Sequence, residues 1–141
     1  MRKSRVNLPN RCYHLISRVA HRAFFLDDEE RTRLVDLVRR VSRFSGVKLL
    51  AYGVMSNHFH VFVYIGHPER IDDAEIVRRI AALYSDARFN QVMKKWNELA
   101  KRPDSSSLRR YGKPLLTRMC NASEYMNTLM QHYTMSFNAR R

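Results

Sequence analysis

His58 and His60 stand one residue apart in the stretch Asn57-His58-Phe59-His60-Val61-Phe62-Val63-Tyr64-Ile65. Val, Phe, Tyr and Ile dominate this stretch and a turn precedes it, the pattern of a β-strand. Side chains alternate across a strand. Asn57, Phe59, Val61, Val63 and Ile65 are therefore predicted on one nearly apolar face, and His58, His60, Phe62 and Tyr64 on the other. Two imidazoles a two-residue step apart on one face are close enough to bind one divalent cation, and histidine is the commonest metal ligand. A bare His-x-His is a weak signal, because many such pairs are structural and half-buried or simply solvated. Two features raise its weight here. The pair sits on a central-looking apolar strand, where an unsatisfied polar pair is unfavourable to bury, and the surrounding chain is strongly basic.

Lys and Arg number 26 against 13 Asp and Glu, a formal net charge of +13. An excess of that size favours polyanions, nucleic acid first and anionic membrane second, over a merely soluble basic protein. The 141 residues make one domain by size, residues 1–141, long enough for a real core. No apolar run approaches the roughly 18 residues of a membrane span, so no membrane partner is expected. Met1 to Arg11 has charges but no apolar signal-peptide core. Cys12 and Cys120 are isolated and fit reduced thiols of a cytosolic protein.

The elements that must position the histidines can be read in order. Met1 to Asn10 is basic, carries Pro9, and is expected as an extended arm. Cys12 to Val19 reads as a first strand, with Cys12, His14, Ile16 and Arg18 on one face and Tyr13, Leu15 and Ser17 on the other. His14 could line a site, although a lone strand histidine is more often structural. Arg18 and Arg22 lie at and beyond the strand's end, as solvated charges or phosphate contacts. Asp27 opens a helix, with Glu30 three residues on as in a capping box. Leu34, Leu37, Val38, Val41 and Phe44 recur at helical spacing, and Gly46 stops the helix. Val47 to Met55 reads as a second strand, and the short Ser56-Asn57 turn implies an antiparallel hairpin. Strand, helix, strand, strand is the first half of a split β-α-β, an α+β, ferredoxin-like antiparallel sheet with flanking helices. The first strand is expected parallel to one hairpin strand through a right-handed crossover. After Gly66 and Pro68 the chain reads as helical: Asp72 to Tyr84, then Asp86 to Arg102, with apolar stripes that suit core or subunit contact. Pro103 to Ser107 is a polar loop, and Gly112-Lys113-Pro114 reads as a second break. Asn121 with Glu124 caps a last helix, whose stripe is Met126, Leu129, Met130, Tyr133 and Phe137.

The stretches Cys12-Tyr13-His14-Leu15-Ile16-Ser17-Arg18, Phe25-Leu26-Asp27-Asp28-Glu29 and Ala51-Tyr52-Gly53-Val54-Met55-Ser56-Asn57-His58-Phe59-His60-Val61-Phe62-Val63 resemble the single-tyrosine HUH transposases. More narrowly they are similar to the IS200-like branch that includes the REP-associated tyrosine transposases. The segment Tyr125 to Arg141 resembles that family's following helix. The resemblance implies a sheet core over 10–65, a helical insertion over 66–120 and a C-terminal helix over 121–141.

It further implies metal-assisted cleavage of single-stranded DNA. His58 and His60, with a third polar ligand, would hold Mg²⁺ or Mn²⁺ on the scissile phosphate. A tyrosine hydroxyl would attack phosphorus, giving a 5′-phosphotyrosine and a free 3′-hydroxyl. Single-stranded or hairpin DNA is the partner implied, with a homodimer as the assembly and a cytoplasmic, nucleoid-associated setting. Arg18, Arg22, Arg140 and Arg141 are the candidate DNA contacts. In this branch the nucleophile lies on a later helix, beyond a further strand, so the fold is expected to be C-terminally incomplete at Arg141. The catalytic tyrosine is therefore unassigned. Tyr133 is the one weighed for the role against its simpler reading as a packing residue, and Tyr84 and Tyr111 are weaker. The chain is then either part of a transposase or an inactive module that binds hairpin DNA or RNA. An interaction protein with an incidental His pair is the third reading.

Overall fold

The described residues run in the order β1 (Arg11–Arg18), α1 (Asp28–Ser45), β2 (Lys48–Val54), β3 (His58–Ile65), α2 (Asp73–Leu83), α3 (Asp86–Ala100), α4 (Ser106–Thr117) and α5 (Ala122–Ala139). They come from a computed structural model that describes residues 8–18, 26–67 and 70–140. The expected basic arm lies mostly outside these residues, as do Arg22 and Arg141. The architecture is α+β, with a three-stranded antiparallel sheet in the order β1-β3-β2.

β1 and β2 run in the same direction, as the crossover through α1 requires, but β3 lies between them. Each hydrogen-bonded pair is therefore antiparallel. The tight hairpin explains this order. Met55 N–H donates to the His58 carbonyl at 2.8 Å, which folds β3 back onto β2 and leaves its other edge for β1. Asn57 belongs to this turn rather than to the strand face where alternation had put it. Leu50 sits at a bulge in β2, which bends that edge strand and increases its twist.

α1 starts and stops where local chemistry dictates. The Asp27 carboxylate accepts from the Glu30 N–H at 2.8 Å. Gly46, at φ 72°, closes the helix with its N–H on the Ser42 and Arg43 carbonyls. A Cβ at Gly46 would meet the Arg79 guanidinium at 2.5 Å, so left-handed backbone and close approach both require glycine there. The buried stripe of α1, Leu34, Leu37, Val38, Val41 and Phe44, meets Phe59, Val61, Val63 and Ile65 of β3 and Tyr125 and Leu129 of α5 in one core. Arg40 of α1 donates to the Ala82 and Leu83 carbonyls at 3.3 and 2.8 Å, satisfying carbonyls that the end of α2 leaves unpaired.

Residues 76–115 build a second, smaller core from Ile76, Ile80, Val92, Trp96 and Leu115. Here the structure corrects the expected break at Gly112-Lys113-Pro114, because α4 runs straight through it. Packing overrides the local breaker signals. Gly112 faces Trp96, where a Cβ would come within 3.2 Å of the indole, and buried Leu115 holds the next turn in the same cluster. At the other end of the chain, the Asn121 side chain accepts from the Glu124 N–H at 3.0 Å and caps α5.

Candidate functional site

Helices α1 and α5 cover one face of the sheet. On the other face Ile16 is 47% exposed and Phe62 40%, so that face is open among the described residues. β3 puts His58 and His60 there together, half-buried, while Phe59, Val61 and Val63 point into the core. The β1–β3 register sets Arg18 opposite His58, Ile16 opposite His60 and His14 opposite Phe62. His14 stacks on the Phe62 ring at 4.3 Å between centroids. The two HxH rings lie 5.1 Å apart, edge to face.

Each of the two imidazoles has one nitrogen committed. The Nδ1 of His58 lies 2.8 Å from Asn57 Oδ1, which can only accept from it, so this Nδ1 carries the proton. The Nδ1 of His60 lies 2.8 Å from His14 Nε2. If His60 donates, its Nε2 is left with a lone pair; if His14 donates, that lone pair is lost. A metal-binding histidine commonly donates its other ring N–H to a fixed partner, which sets the tautomer and aims the ligand nitrogen. Asn57 and His14 stand where those partners are needed, and neither Nε2 of the pair has a hydrogen-bond partner among the described residues. With His60 as the donor to His14, the donor set fits a divalent cation at two positions, the Nε2 atoms of His58 and His60. No group of three or more His, Cys, Asp or Glu side chains suited to a metal occurs among the described residues.

Of the candidate arginines, Arg18 joins this face, across from His58. Arg140 does not. It lies on the helical side, and its guanidinium holds both oxygens of Glu30 at 2.9 and 2.6 Å. Tyr133 is also there. It is 5% exposed and its hydroxyl donates to Glu30 Oε2 at 3.2 Å. Burial, and then the Glu30 carboxylate beside it, push this phenol well above its usual range. A nucleophile needs the opposite shift or an adjacent base poised to act.

Sequence reasoning undervalued His14 and Asn57. The alternation of β1 already put His14 on the Arg18 face, but only the pairing register with β3 shows that it reaches His60. Asn57 was placed on the apolar face, whereas its position in the turn lets it reach His58. No helix among the described residues is long and apolar enough to cross a membrane.

A family model for the IS200-like transposases matches residues 7–104, a span that takes in the whole sheet with α1, α2 and α3. Comparisons with curated proteins and with solved structures gave no match. The family match covers well over half of the chain, which therefore belongs to the IS200-like transposase family, with DNA as its partner and transposition as its class of activity.

Proposed function

We propose that this chain carries the metal-binding side of a site that cuts and rejoins single-stranded DNA through a phosphotyrosine in the complete protein. The observation that carries the reading is the committed Nδ1 of both histidines on an open sheet face. His58 and His60 would hold Mg²⁺ or Mn²⁺ through Nε2. When bound, the cation polarises the scissile phosphate and offsets its charge. Two imidazoles are softer donors than the oxygen sites where Mg²⁺ is usual, which makes Mn²⁺ the better probe. Arg18 supplies a permanent positive charge beside His58 to orient the phosphate. Exposed Ile16 and Phe62 offer an apolar floor on which an unpaired base can rest. A tyrosine hydroxyl gives up its proton and forms the bond to phosphorus. The bond to the 3′ oxygen breaks, and that oxygen takes up a proton and leaves as a 3′-hydroxyl. The ester exchange conserves bond energy for rejoining.

The placement of Tyr133 away from the histidines favours a second reading, a module that binds hairpin DNA or RNA without cutting it. The separate core of residues 76–115 supports treating 66–120 as a helical insertion on the 10–65 sheet core, with 121–141 as the returning C-terminal helix. A homodimer is the assembly that goes with this reading.

The test is hairpin-DNA affinity with and without Mn²⁺. The expected result is tighter binding with Mn²⁺, an increment lost in His58→Ala and in His60→Ala. An affinity indifferent to Mn²⁺, or an increment kept in both variants, would remove the metal from the reading. A separate expectation concerns the partner of His60. His14→Phe should weaken Mn²⁺ binding about 10-fold or more, as followed by the free-ion electron paramagnetic resonance signal. His14→Gln keeps an oxygen that can accept from His60 Nδ1 and should restore much of the affinity. Equal losses in both variants would reduce His14 to a packing role.

A further inference from the structure

α1, α5 and the α2–α3 junction enclose a cleft of about 760 Å³, on the helical side that the sheet separates from the histidines. That volume lies within the range of small-ligand sites, about 300–1,000 Å³. Five arginines line it, Arg33, Arg40, Arg88, Arg118 and Arg140, and Asp36 is the one carboxylate among the lining residues.

Their pairing decides what charge the cleft presents. Arg140 is held by Glu30 and Arg33 by Glu29 at 2.6 Å. Arg40 spends two nitrogens on backbone carbonyls and reaches Asp36 at 3.8 Å. Arg118 and Arg88 have no carboxylate partner among the described residues. Arg118 lies over the Phe44 ring at 4.9 Å and donates to the Tyr84 hydroxyl at 3.1 Å. Arg88 donates to the side-chain Oε1 of Gln91 at 3.5 Å. His132 completes the wall. Burial, then the charges of Arg118 and Arg40, hold its imidazole below the usual range. The smaller, coulombic part of that lowering comes from the two arginines, which stand close enough to act on the ring.

We propose that this cleft is a second phosphate-binding site, which seats a phosphodiester of bound single-stranded nucleic acid on the side opposite the histidines. The inference rests on DNA being the partner but not on the metal. The two guanidinia without a carboxylate partner supply charge-assisted donors to phosphate oxygens, Arg118 by exchanging its contacts to the Tyr84 and Thr128 hydroxyls. Arg40 adds positive potential at the wall, and a seated phosphate would favour the protonated form of the His132 imidazole. A strand engaged at both sites would have to pass round an edge of the sheet, which a flexible single strand can do.

The experiment follows the His132 ring signal by NMR in the full chain, titrated with a single-stranded oligonucleotide and, separately, with inorganic phosphate. The oligonucleotide is expected to shift the signal and raise the imidazole's titration midpoint. Arg88→Gln, at an exposed position, should weaken oligonucleotide binding and reduce the log–log salt slope by about 0.7, the share of one phosphate contact on a single strand. Arg118 also packs on Phe44, so Arg88 is the safer probe of charge. His58→Ala should leave the His132 response in place. A signal that answers inorganic phosphate but not the oligonucleotide would overturn the nucleic-acid assignment. A signal silent to both, or a salt slope unchanged in Arg88→Gln, would overturn the site. Mn²⁺-dependent hairpin binding with a silent His132 would leave the histidine reading standing and sink this one alone.

Discussion

Incubated with labelled single-stranded hairpin DNA and Mn²⁺, the 141-residue chain is expected to leave no protein–DNA band on a denaturing gel. Covalent capture needs a hydroxyl in line with the scissile phosphorus at roughly 3–3.5 Å, and the seven tyrosines are placed elsewhere. Tyr133 is buried against Glu30 with the sheet between it and the histidines. Tyr125 is fully buried, its hydroxyl beside Ser42 Oγ at 2.9 Å, and burial pushes its phenol up to about 12. Tyr84 accepts from Arg118, and Tyr111 packs on the second core. Tyr13 is half-buried on the core side of β1 and bonded to Leu8, and Tyr52 accepts from Arg39. Tyr64 alone shares the histidine face. It is four residues from His60, about 13 Å along a strand, and its hydroxyl donates to Asn10 at 2.8 Å. A band lost on Tyr133→Phe would overturn this argument and require α5 to unpack. A band lost on Tyr64→Phe would make the tyrosine on the open face the nucleophile.

Phe59→Ala should lower stability by about 3–5 kcal/mol. Phe59 is 1% exposed and packs in the main core from the strand that pairs on both sides. Total stability of a domain this size is about 5–15 kcal/mol, so the loss is a large fraction of it. The Tm should fall by roughly 10 °C. Phe62→Ala removes a ring of the same size from the open face, where it is 40% exposed, and should change stability by about 1 kcal/mol or less. Urea denaturation of both variants makes the comparison. Equal losses would mean that the open face is covered in solution.

What could be read in advance was local. Asp27 and Asn121 announced themselves as caps because a cap needs only a residue three positions on, and each accepts from that residue's N–H. The two faces of β3 were legible because alternation is a property of the strand itself. Partners distant in sequence were not. His14 reaches His60 across 46 positions and Arg140 reaches Glu30 across 110. Nothing in the composition near either arginine or histidine marks those meetings. The strand order was only half legible, since the crossover fixes direction but not which strand takes the centre. The turn propensity of Gly112 and Pro114 is overridden by packing on Trp96, whose ring lies close enough that a Cβ at Gly112 would be a tight contact.

Every residue of β3 from His58 to Ile65 is matched to a partner in β1. A slip of one position would turn the strand over. His58 and His60 would then face the core, and Phe59, Val61, Val63 and Ile65 would face water. Such a molecule would present no imidazole pair to an ion and a wide oily surface to its neighbours. On the proposed metal reading, Mn²⁺ uptake would thereby become a measure of sample quality. The stoichiometry of Mn²⁺ per chain would count the correctly threaded molecules, and the shortfall would be found in the precipitate.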